Sequence, residues 1–366
     1  MIPFVDLKAQ YRSIKHEIDN AINECITTGN FIRGKAVTDF EDAFAKYIGT
    51  EYCLGCGNGT DALEIILQSL GIGPGDEVIV PALTWIATAE CVNNVGAEPV
   101  FVDINPINYS IDYKKIEDKI SNKTKAVIAV HLYGCPADLH EISAITKKNN
   151  LHLIEDCAQA HGAEYFGKKI GTFGIASAFS FFPSKNLGAY GDAGAILTND
   201  KDIADKARML SNHGQLLIKH SHKIIGRNSR LDTIQSCVLN VKLHYLDEWN
   251  QKRILAAQYY KSILEKEDGI IVPLNVNAIK HVYHLFVIRV KNRKKITDAF
   301  IKNNISFGIH YPKALPFIEA YGYKNLLPEE FPVSSVLTDE ILSLPIYPEI
   351  TNEQIDFVCQ IILENL

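Results

Sequence analysis

Three patterns that follow one another along the 366-residue chain carry residue types that could do chemistry together: a Gly-rich turn, an acidic residue and a lysine. The lysine is Lys185, in the segment AFSFFPSKNLGAYGD at 178–192. A lysine amine is a poor nucleophile while protonated, but burial or a nearby cation lowers its pKa, and the neutral amine then condenses with an aldehyde. Taken alone, Lys185 fits a solvated turn better, because most lysines are exposed.

The Gly-rich turn reads GCGNGT at 55–60, where it follows a predicted strand and opens a predicted helix. Backbone N–H groups and the helix dipole favour an anion there, so a phosphate would fit. A plain tight turn is the structural alternative. A dinucleotide site would need the spacing G-x-G-x-x-G and an acid after the second strand. Here the spacing is G-x-G-x-G, Asp76 and Glu77 precede that strand, and Pro81 follows it, so the nicotinamide interpretation fails.

The acidic residue is Asp156, in the segment LIEDCAQAHG at 153–162, just beyond an apolar run. A carboxylate at the end of a buried strand can keep a pyridine nitrogen protonated. A protonated pyridine makes pyridoxal 5′-phosphate (PLP) an electron sink. Helix N-capping is an equally good explanation of this aspartate when it is considered alone.

The order of the three patterns decides between these alternatives. A phosphate turn, then an acid at a strand end, then a lysine after a later strand together predict a PLP enzyme with Lys185 as the lysine that bonds the cofactor. Trp85, in PALTWIATA at 81–89, follows the second sheet strand and would lie near the first turn, where its ring could stack on a pyridine. A packing role for Trp85 remains an alternative from position alone.

Composition limits the class of protein. The formal charge of −6 and the pI near 6.1 argue against a nucleic-acid surface, which needs clustered Lys and Arg. The first residues lack a basic region followed by an apolar run, and no apolar segment is long enough to span a bilayer, so we expect a soluble cytoplasmic protein. Eight scattered cysteines are expected to be reduced, and Cys53-x-x-Cys56 without further ligands predicts no metal site.

The elements that must position these residues follow from apolar periodicity. Apolar strands alternate with helices from residue 52 onward, which predicts a mostly parallel sheet with helices on both faces and ligands at the carboxyl ends of the strands. We expect a large domain over 1–250 and a smaller C-terminal one over 251–366. Predicted strands are 52–56, 77–80, 99–102, 126–130, 151–154, 178–182, 194–197 and 284–290; predicted helices are 11–27, 37–47, 60–70, 86–94, 113–120, 141–149, 201–212, 231–264, 295–302 and 353–363.

Four segments resemble the DegT/DnrJ/EryC1/StrS sugar aminotransferases: NGTDAL at 58–63, EDCAQAHG at 155–162, SFFPSKNLG at 180–188 and NSRLD at 228–232. The resemblance runs from residues 2–7 to 344–348 and so covers nearly the whole chain. It implies an α/β fold-type I PLP transferase, with a seven-stranded-type sheet domain and a smaller α+β domain. It also implies a homodimer with active sites at the subunit interface.

The resemblance further implies roles for individual residues. Lys185 would form the Schiff base, Asp156 would pair with the pyridine nitrogen, and Gln159 would lie near the ring hydroxyl. Other cofactor contacts would come from the phosphate-binding Gly59, Thr60 and Ser180, from the stacking Trp85, and from Asn228, which would reach the neighbouring subunit's cofactor phosphate. His310 and Tyr311 resemble a segment that borders the sugar pocket. The polar stretch at 213–229 could be a mobile loop, a subunit contact or a solvated face.

The implied reaction moves an amino group from L-glutamate to PLP, and from the resulting pyridoxamine phosphate to a ketone on a nucleotide-linked sugar. Similarity of the segments around Lys185 and at 228–232 to 3-aminotransferases favours a 3-keto sugar, such as a dTDP-3-keto-6-deoxyhexose, for surface polysaccharide such as lipopolysaccharide O-antigen. A 4-keto or UDP-linked sugar is an alternative, as is a non-catalytic PLP or nucleotide-sugar binding protein. Related sugar dehydratases carry a histidine in place of the lysine, so Lys185 argues against that branch.

Overall fold

A seven-stranded sheet forms the centre of the computed structural model, which describes residues 1–216, 218, 220–274 and 278–366. Two three-stranded sheets accompany it. The strands of this described chain are β1 Tyr52–Cys56, β2 Glu77–Pro81, β3 Glu98–Val102, β4 Thr124–Val130, β5 His152–Asp156, β6 Glu164–Tyr165, β7 Lys168–Lys169, β8 Ala176–Ser180, β9 Gly194–Thr198, β10 Ile270–Ile271, β11 Ile279–Lys280, β12 Phe286–Val290 and β13 Ile341–Leu344.

Strand order in the large sheet is β1-β9-β8-β5-β4-β2-β3. The pairs β2·β3, β2·β4, β4·β5 and β5·β8 are parallel, whereas β9 runs antiparallel to both of its neighbours. The predicted α/β class with a mostly parallel seven-stranded sheet is therefore confirmed. Because parallel strands end at one edge, the carboxyl ends of β4, β5 and β8 lie together, with Asp156 and Ser180 at that edge.

Helices cover both faces of the sheet, which explains why its strands are apolar throughout. On β4, Ala126 and Ile128 face one hydrophobic core, while Val127 and Ala129 face another on the opposite side of the sheet, and helices pack into both cores. The helices are α1 Leu7–Ser13, α2 Lys15–Thr28, α3 Lys35–Ile48, α4 Gly59–Ser69, α5 Ala87–Asn94, α6 Leu139–Lys148, α7 Lys201–Leu210, α8 Thr233–Leu243, α9 Leu246–Leu264, α10 Arg293–Lys302, α11 Pro332–Glu340 and α12 Asn352–Leu363.

The C-terminal part packs its own core between α9, α10, α12 and the sheet β10-β12-β13. Ile2 joins this core and forms a bridge to Ile305, so the N-terminus is fastened to the C-terminal part. Leu315 and Phe331 instead pack into the core of the large sheet. The division at residue 250 stays a prediction, and α9 runs through it.

Most predicted elements are present, with shifted ends. The predicted helix at 113–120 is wrong: the structure has two 3₁₀ turns, Tyr113–Lys115 and Glu117–Lys119, closed by i+3 hydrogen bonds such as Lys115 N–H to the Asp112 carbonyl (3.0 Å). Ile116, between the two turns, is the one deeply buried residue of this segment. The segment therefore lacks the apolar face that an α-helix would pack against the core. The predicted single helix at 231–264 is two helices, separated at His244 and Tyr245.

The strands that carry the chemistry also differ by two residues from the prediction. β5 extends to Asp156 and β8 ends at Ser180, whereas the predicted strands ended at 154 and 182. The predicted strand 284–290 begins only at Phe286. The small sheet β11-β6-β7, the strands β10 and β13, and α11 were not predicted, because two-residue strands and short helices carry almost no periodicity.

All eight cysteines are unpaired and buried. Cys53 and Cys56 project into opposite cores of the large sheet, so they cannot share a ligand without moving the strand. Within the described part of the chain, no helix combines the length and the apolar composition that crossing a bilayer requires. Burial raises the pKa of the Cys53 and Cys56 thiols, which keeps both of them protonated.

Candidate active site

A cavity of about 620 Å³ opens at the carboxyl edge of the large sheet. Nine of the ten predicted site residues line it; the tenth, Asn228, does not. The lining members are Gly59, Thr60, Trp85, Asp156, Gln159, Ser180, Lys185, His310 and Tyr311. Residues far apart in the sequence therefore meet in one space, as the strand order requires.

The N-terminus of α4 forms one end of the cavity. Asn58 caps the helix, since its side-chain oxygen accepts a hydrogen bond from the Asp61 N–H (2.8 Å). Gly59 packs against Ser180, and a Cβ on Gly59 would lie only 2.7 Å from the Ser180 Cβ. Thr60, Ser180 and the first residue of α4 thus line the same end of the cavity, which is the setting of a phosphate site.

Asp156 ends β5 and is buried at the floor of the cavity. Its carboxylate accepts hydrogen bonds from the Thr88 hydroxyl (2.8 Å) and the Ala158 N–H (3.1 Å). Burial raises the pKa of Asp156, while the Thr88 hydrogen bond and the Lys185 charge act in the opposite direction. The two hydrogen bonds hold the carboxyl group in place for a cation or N–H donor in the cavity.

Lys185 lies in the loop after β8, with its amine in the cavity. Burial lowers the pKa of Lys185 to about 8, and the charge of Asp156 only partly offsets this effect. Among the described residues the amine has no hydrogen-bond or ion-pair partner, so it is free to react. The loop is tight because Gly188 touches Pro183: a Cβ at 188 would lie 2.3 Å from the Pro183 carbonyl oxygen.

Gln159 is held by its neighbours on both sides. Its Oε1 accepts the Tyr133 N–H (2.7 Å), and its Nε2 donates to the Tyr311 hydroxyl (3.1 Å). The Tyr133 hydroxyl donates to the His310 carbonyl, so one tyrosine fixes both the amide and the 310–311 segment. Burial raises the pKa of Tyr311, which keeps its hydroxyl protonated.

Trp85 is 57% exposed, and its ring lies 5.6 Å from that of Tyr311 at 44°. Such exposure does not fit the alternative of a core-packing tryptophan. His310 is stacked on Phe4 (5.7 Å), and its Nδ1 lies 2.8 Å from the Ser343 hydroxyl. Burial and the Lys185 charge lower the pKa of His310 to about 4, so it is neutral at pH 7.

Asn228 is exposed and lies outside the cavity of its own chain. It forms a bridge with Asn212, and the next residue, Ser229, accepts a hydrogen bond from the Gly57 N–H (3.0 Å). The expected contact with a neighbouring subunit's cofactor stays a prediction. Residues 217 and 219 of the polar stretch 213–229 lie outside the described residues.

Sequence reasoning missed several residues of this site, among them Thr88, Tyr133, His284 and Ser184. Thr88 was within reach, because it follows Trp85 by one helical turn and faces the same edge of the sheet. Tyr133 and His284 come from loops whose return to the cavity depends on contacts distant in sequence, such as the Leu285 N–H to the Tyr133 carbonyl (3.2 Å).

A buried group of His131, Glu155 and Cys157 lies beneath the cavity and has metal-ligand residue types. Glu155 is already saturated, because it accepts from His131 Nε2 (3.1 Å) and from the N–H groups of Gly171 (2.7 Å) and Gly174 (2.8 Å). His131 Nδ1 accepts the Ala137 N–H (3.1 Å). These bonds fix the end of β5, which is where Asp156 must be held.

Three comparisons with known proteins agree with this geometry. The profile of the DegT/DnrJ/EryC1/StrS aminotransferase family matches residues 12–363. The dTDP-3-amino-3,6-dideoxy-alpha-D-galactopyranose transaminase of Aneurinibacillus thermoaerophilus is 44% identical, over 98% of this chain and 98% of that one. The UDP-2-acetamido-2-deoxy-3-oxo-D-glucuronate aminotransferase of Pseudomonas aeruginosa is 41% identical, over 98% of this chain and 99% of that one.

A solved structure extends the likeness to three dimensions. S. venezuelae DesV, in complex with a ketimine intermediate, superposes with a TM-score of 0.97 and 39% identity, over 99% of this chain and 98% of that one. Solved structures related to this chain also hold the amino form of PLP. The cavity fits that group, since it offers a helix N-terminus for a phosphate, an acid for a pyridine nitrogen and an amine for an aldehyde.

Proposed function

We propose, since the chain belongs to the DegT/DnrJ/EryC1/StrS aminotransferase family, that it transfers an amino group to a ketone of a nucleotide-linked sugar. The observation that carries this proposal is the single cavity that Lys185, Asp156 and the N-terminus of α4 share. The amine, the acid and the phosphate site are the three groups that PLP chemistry needs from a protein. The non-catalytic alternative gives no reason for a lysine whose pKa is lowered to about 8.

Each residue of the cofactor site would have its own role in this reaction. Bound PLP supplies the electron sink and carries the amino group between the two substrates. Lys185 would hold the cofactor through its Nζ, and the same Nζ would move the proton at the reacting carbon. Asp156, supported by Thr88, keeps the pyridine nitrogen protonated. Residues Gly59, Thr60 and Ser180 bind the phosphate.

Four further residues would set the geometry of the cofactor and the sugar. The exposed indole of Trp85 would stack on the pyridine ring. Gln159 would lie near the ring hydroxyl, in the orientation that Tyr133 imposes on its amide. His310 and Tyr311 border the sugar, with Tyr311 as a hydrogen-bond donor, since burial keeps its hydroxyl protonated.

The names of the two relatives guide the choice of sugar. One relative is named for a dTDP-linked 3-amino sugar and the other for a UDP-linked 3-oxo sugar, so both place the reacting carbon at position 3. We therefore place a 3-keto sugar first, on dTDP as in a 3-keto-6-deoxyhexose, and on UDP second. We place such a product in the synthesis of surface polysaccharide, such as lipopolysaccharide O-antigen, or of another glycan.

Donor, assembly and location complete the proposal. L-Glutamate is the donor, in keeping with the resemblance at the four motifs. The enzyme acts as a homodimer with shared active sites; this is supported by Asn228, which is exposed and lies outside its own cavity. It acts in the cytoplasm, where eight buried thiols stay reduced.

The test is direct. Purified protein with PLP and L-glutamate is offered 3-keto and 4-keto sugars on dTDP and on UDP, and products are identified by mass spectrometry. We expect a 3-amino sugar and bleaching of the visible absorption of the lysine-bound cofactor by glutamate. Turnover should fall at least about 10³-fold in Lys185→Ala, while the melting temperature of the variant stays that of the wild type. A band that glutamate leaves unchanged, with no amino sugar formed, would favour a binding protein.

A further inference from the structure

His284 is a buried histidine on the wall of the cavity that no sequence motif singled out. Only 7% of it is exposed, and it lies two residues before the start of β12. Its neighbour Leu285 is fastened to the Tyr133 carbonyl, so the backbone on which the imidazole stands is fixed. The Asn186 side chain holds the ring itself, with His284 Nδ1 3.2 Å from Asn186 Oδ1.

The hydrogen bonds of Asn186 determine which nitrogen of His284 carries the proton. Asn186 Nδ2 donates to the Val282 carbonyl (3.1 Å) and to Asn250 Oδ1 (2.8 Å). Asn250 Nδ2 in turn donates to the His161 carbonyl (2.7 Å). Backbone carbonyls only accept, so both amides are fixed in orientation and Asn186 Oδ1 must be an acceptor. His284 Nδ1 is therefore the donor, and a neutral ring leaves Nε2 as a bare acceptor.

The ring stays neutral at any working pH. Burial is the main cause that lowers the pKa of His284 well below its usual range. The cations Lys185 and Arg253 and the imidazoles His161 and His310 act in the same direction. In the part of the chain that the structure describes, Nε2 has no hydrogen-bond partner, and the residue borders the cavity.

We propose that in the working enzyme His284 Nε2 accepts a hydrogen bond from the free Lys185 amine, a contact that the two groups do not make in this structure, and so positions that amine for proton transfer. The inference rests on the proposed aminotransferase function. Lys185 borders the same cavity without a partner and directly precedes Asn186, which holds the imidazole. The other nearby cation, Arg253, is engaged, since its Nη1 donates to the Ile346 carbonyl (2.9 Å) and the Tyr283 carbonyl (3.4 Å). His284 is a positioning residue that orients the ammonium without taking its proton.

The test uses holoenzyme and the glutamate half-reaction across pH. His284→Leu removes the acceptor, His284→Gln returns an oxygen at similar reach, and His281→Leu is the matched control. His281 is a second histidine with a pKa lowered to about 3, but it lines a different cavity. An acceptor stabilises the ammonium, so its loss should shift the Lys185 limb of the kcat profile down by about one pH unit. Plateau kcat should fall about tenfold, with KM for glutamate changed less than about twofold.

The outcomes separate this inference from the function on which it rests. If wild-type protein transfers no amino group, the proposed function fails. If wild type is active and His284→Leu keeps the wild-type profile and plateau, the positioning role is overturned. If His284→Leu loses its cofactor or its fold, the pH profiles of His284→Gln and His284→Asn are compared instead. The proposal is supported if the Lys185 limb of the kcat profile lies at the wild-type pH in His284→Gln and is shifted in His284→Asn. It is overturned if the limb lies at the same pH in both variants.

Discussion

Lys185 and Asp156 share one cavity, and burial moves their pKa values in opposite directions. The pKa of Lys185 falls to about 8, because burial penalises its ammonium form. The pKa of Asp156 is raised because burial penalises its carboxylate, and Thr88 and Lys185 limit the rise. The lysine is thus partly neutral near pH 8, and the acid is braced by hydrogen bonds. Both groups are prepared for a cofactor that needs an amine and an acid at opposite ends.

The lowered pKa of Lys185 predicts how cofactor uptake depends on pH. Only the neutral amine attacks an aldehyde, and it is the minor form below about pH 8 and the major form above it. We expect the rate at which apoprotein bonds added PLP to rise with pH and to level off above about 8, in stopped-flow absorbance. A rate that keeps rising to pH 10, as for an ordinary lysine, would contradict the burial effect.

We expect Thr88 to affect catalysis through its hydrogen bond to Asp156. Thr88→Val removes the hydroxyl that donates to Asp156 Oδ2 and keeps the shape of the side chain. We expect kcat to fall about tenfold, since one hydrogen bond to a charged group is lost. Thr88→Ser, which keeps the hydroxyl, is the control and should stay within about threefold. Equal kcat values for the two variants would show that the hydrogen bond has no part in catalysis.

At the scale of elements, the site depends on where two strands end and where one helix begins. β5 and β8 deliver Asp156 and Ser180 to the same edge, and α4 begins against Ser180. Gly59 permits that approach, because any Cβ there would collide with Ser180. The close contact between the helix N-terminus and a strand end would make a compact site for the proposed phosphate.

Gly59→Ala tests this contact. The new Cβ would lie 2.7 Å from the Ser180 Cβ, so α4 or β8 must shift. We expect PLP to bind at least about tenfold more weakly, measured by fluorescence titration of apoprotein. Gly322→Ala is the control, because its Cβ would meet no atom within 4 Å, and its affinity should equal that of the wild type. Unchanged binding by the Gly59 variant would argue against a phosphate at this spot.

Elements were predicted well where polar or Gly-containing segments mark their ends, and poorly where only a few apolar residues define them. The strand 52–56 was predicted residue for residue, since both of its ends are marked by polar or Gly-containing turns. The helix at 113–120 was wrong, because a few apolar residues can anchor 3₁₀ turns equally well. Asp156 and Lys185 could be found from strand-end position and order. His284 could not, because its place at the cavity depends on Asn186 and Tyr133, which are distant in sequence.

At the scale of the whole molecule, Asn228 raises the question of a shared site. It is exposed and lies outside its own cavity, although it begins the NSRLD motif. A residue that serves the neighbouring subunit would have this placement. Such an arrangement makes a single subunit incomplete, so activity would require the dimer.

Subunit mixing tests this placement. Lys185→Ala and Asn228→Ala homodimers, each impaired, are dissociated and reassociated together. If Asn228 acts across the interface, each mixed dimer contains one site with both native residues, and activity returns to about a quarter of wild type after random pairing. Each parent mixed with itself is the control. No recovery in the mixture would mean that Asn228 serves its own subunit or that the chain acts as a monomer.

The most direct test of the central claim is to locate the lysine that bonds the cofactor. Holoenzyme is reduced with borohydride, digested, and mapped by mass spectrometry for a phosphopyridoxyl group. The geometry of the cavity predicts one modified peptide, with the group on Nζ of Lys185, and none after glutamate has first converted the cofactor to its amino form. Modification of a different lysine, or of none, would contradict the account.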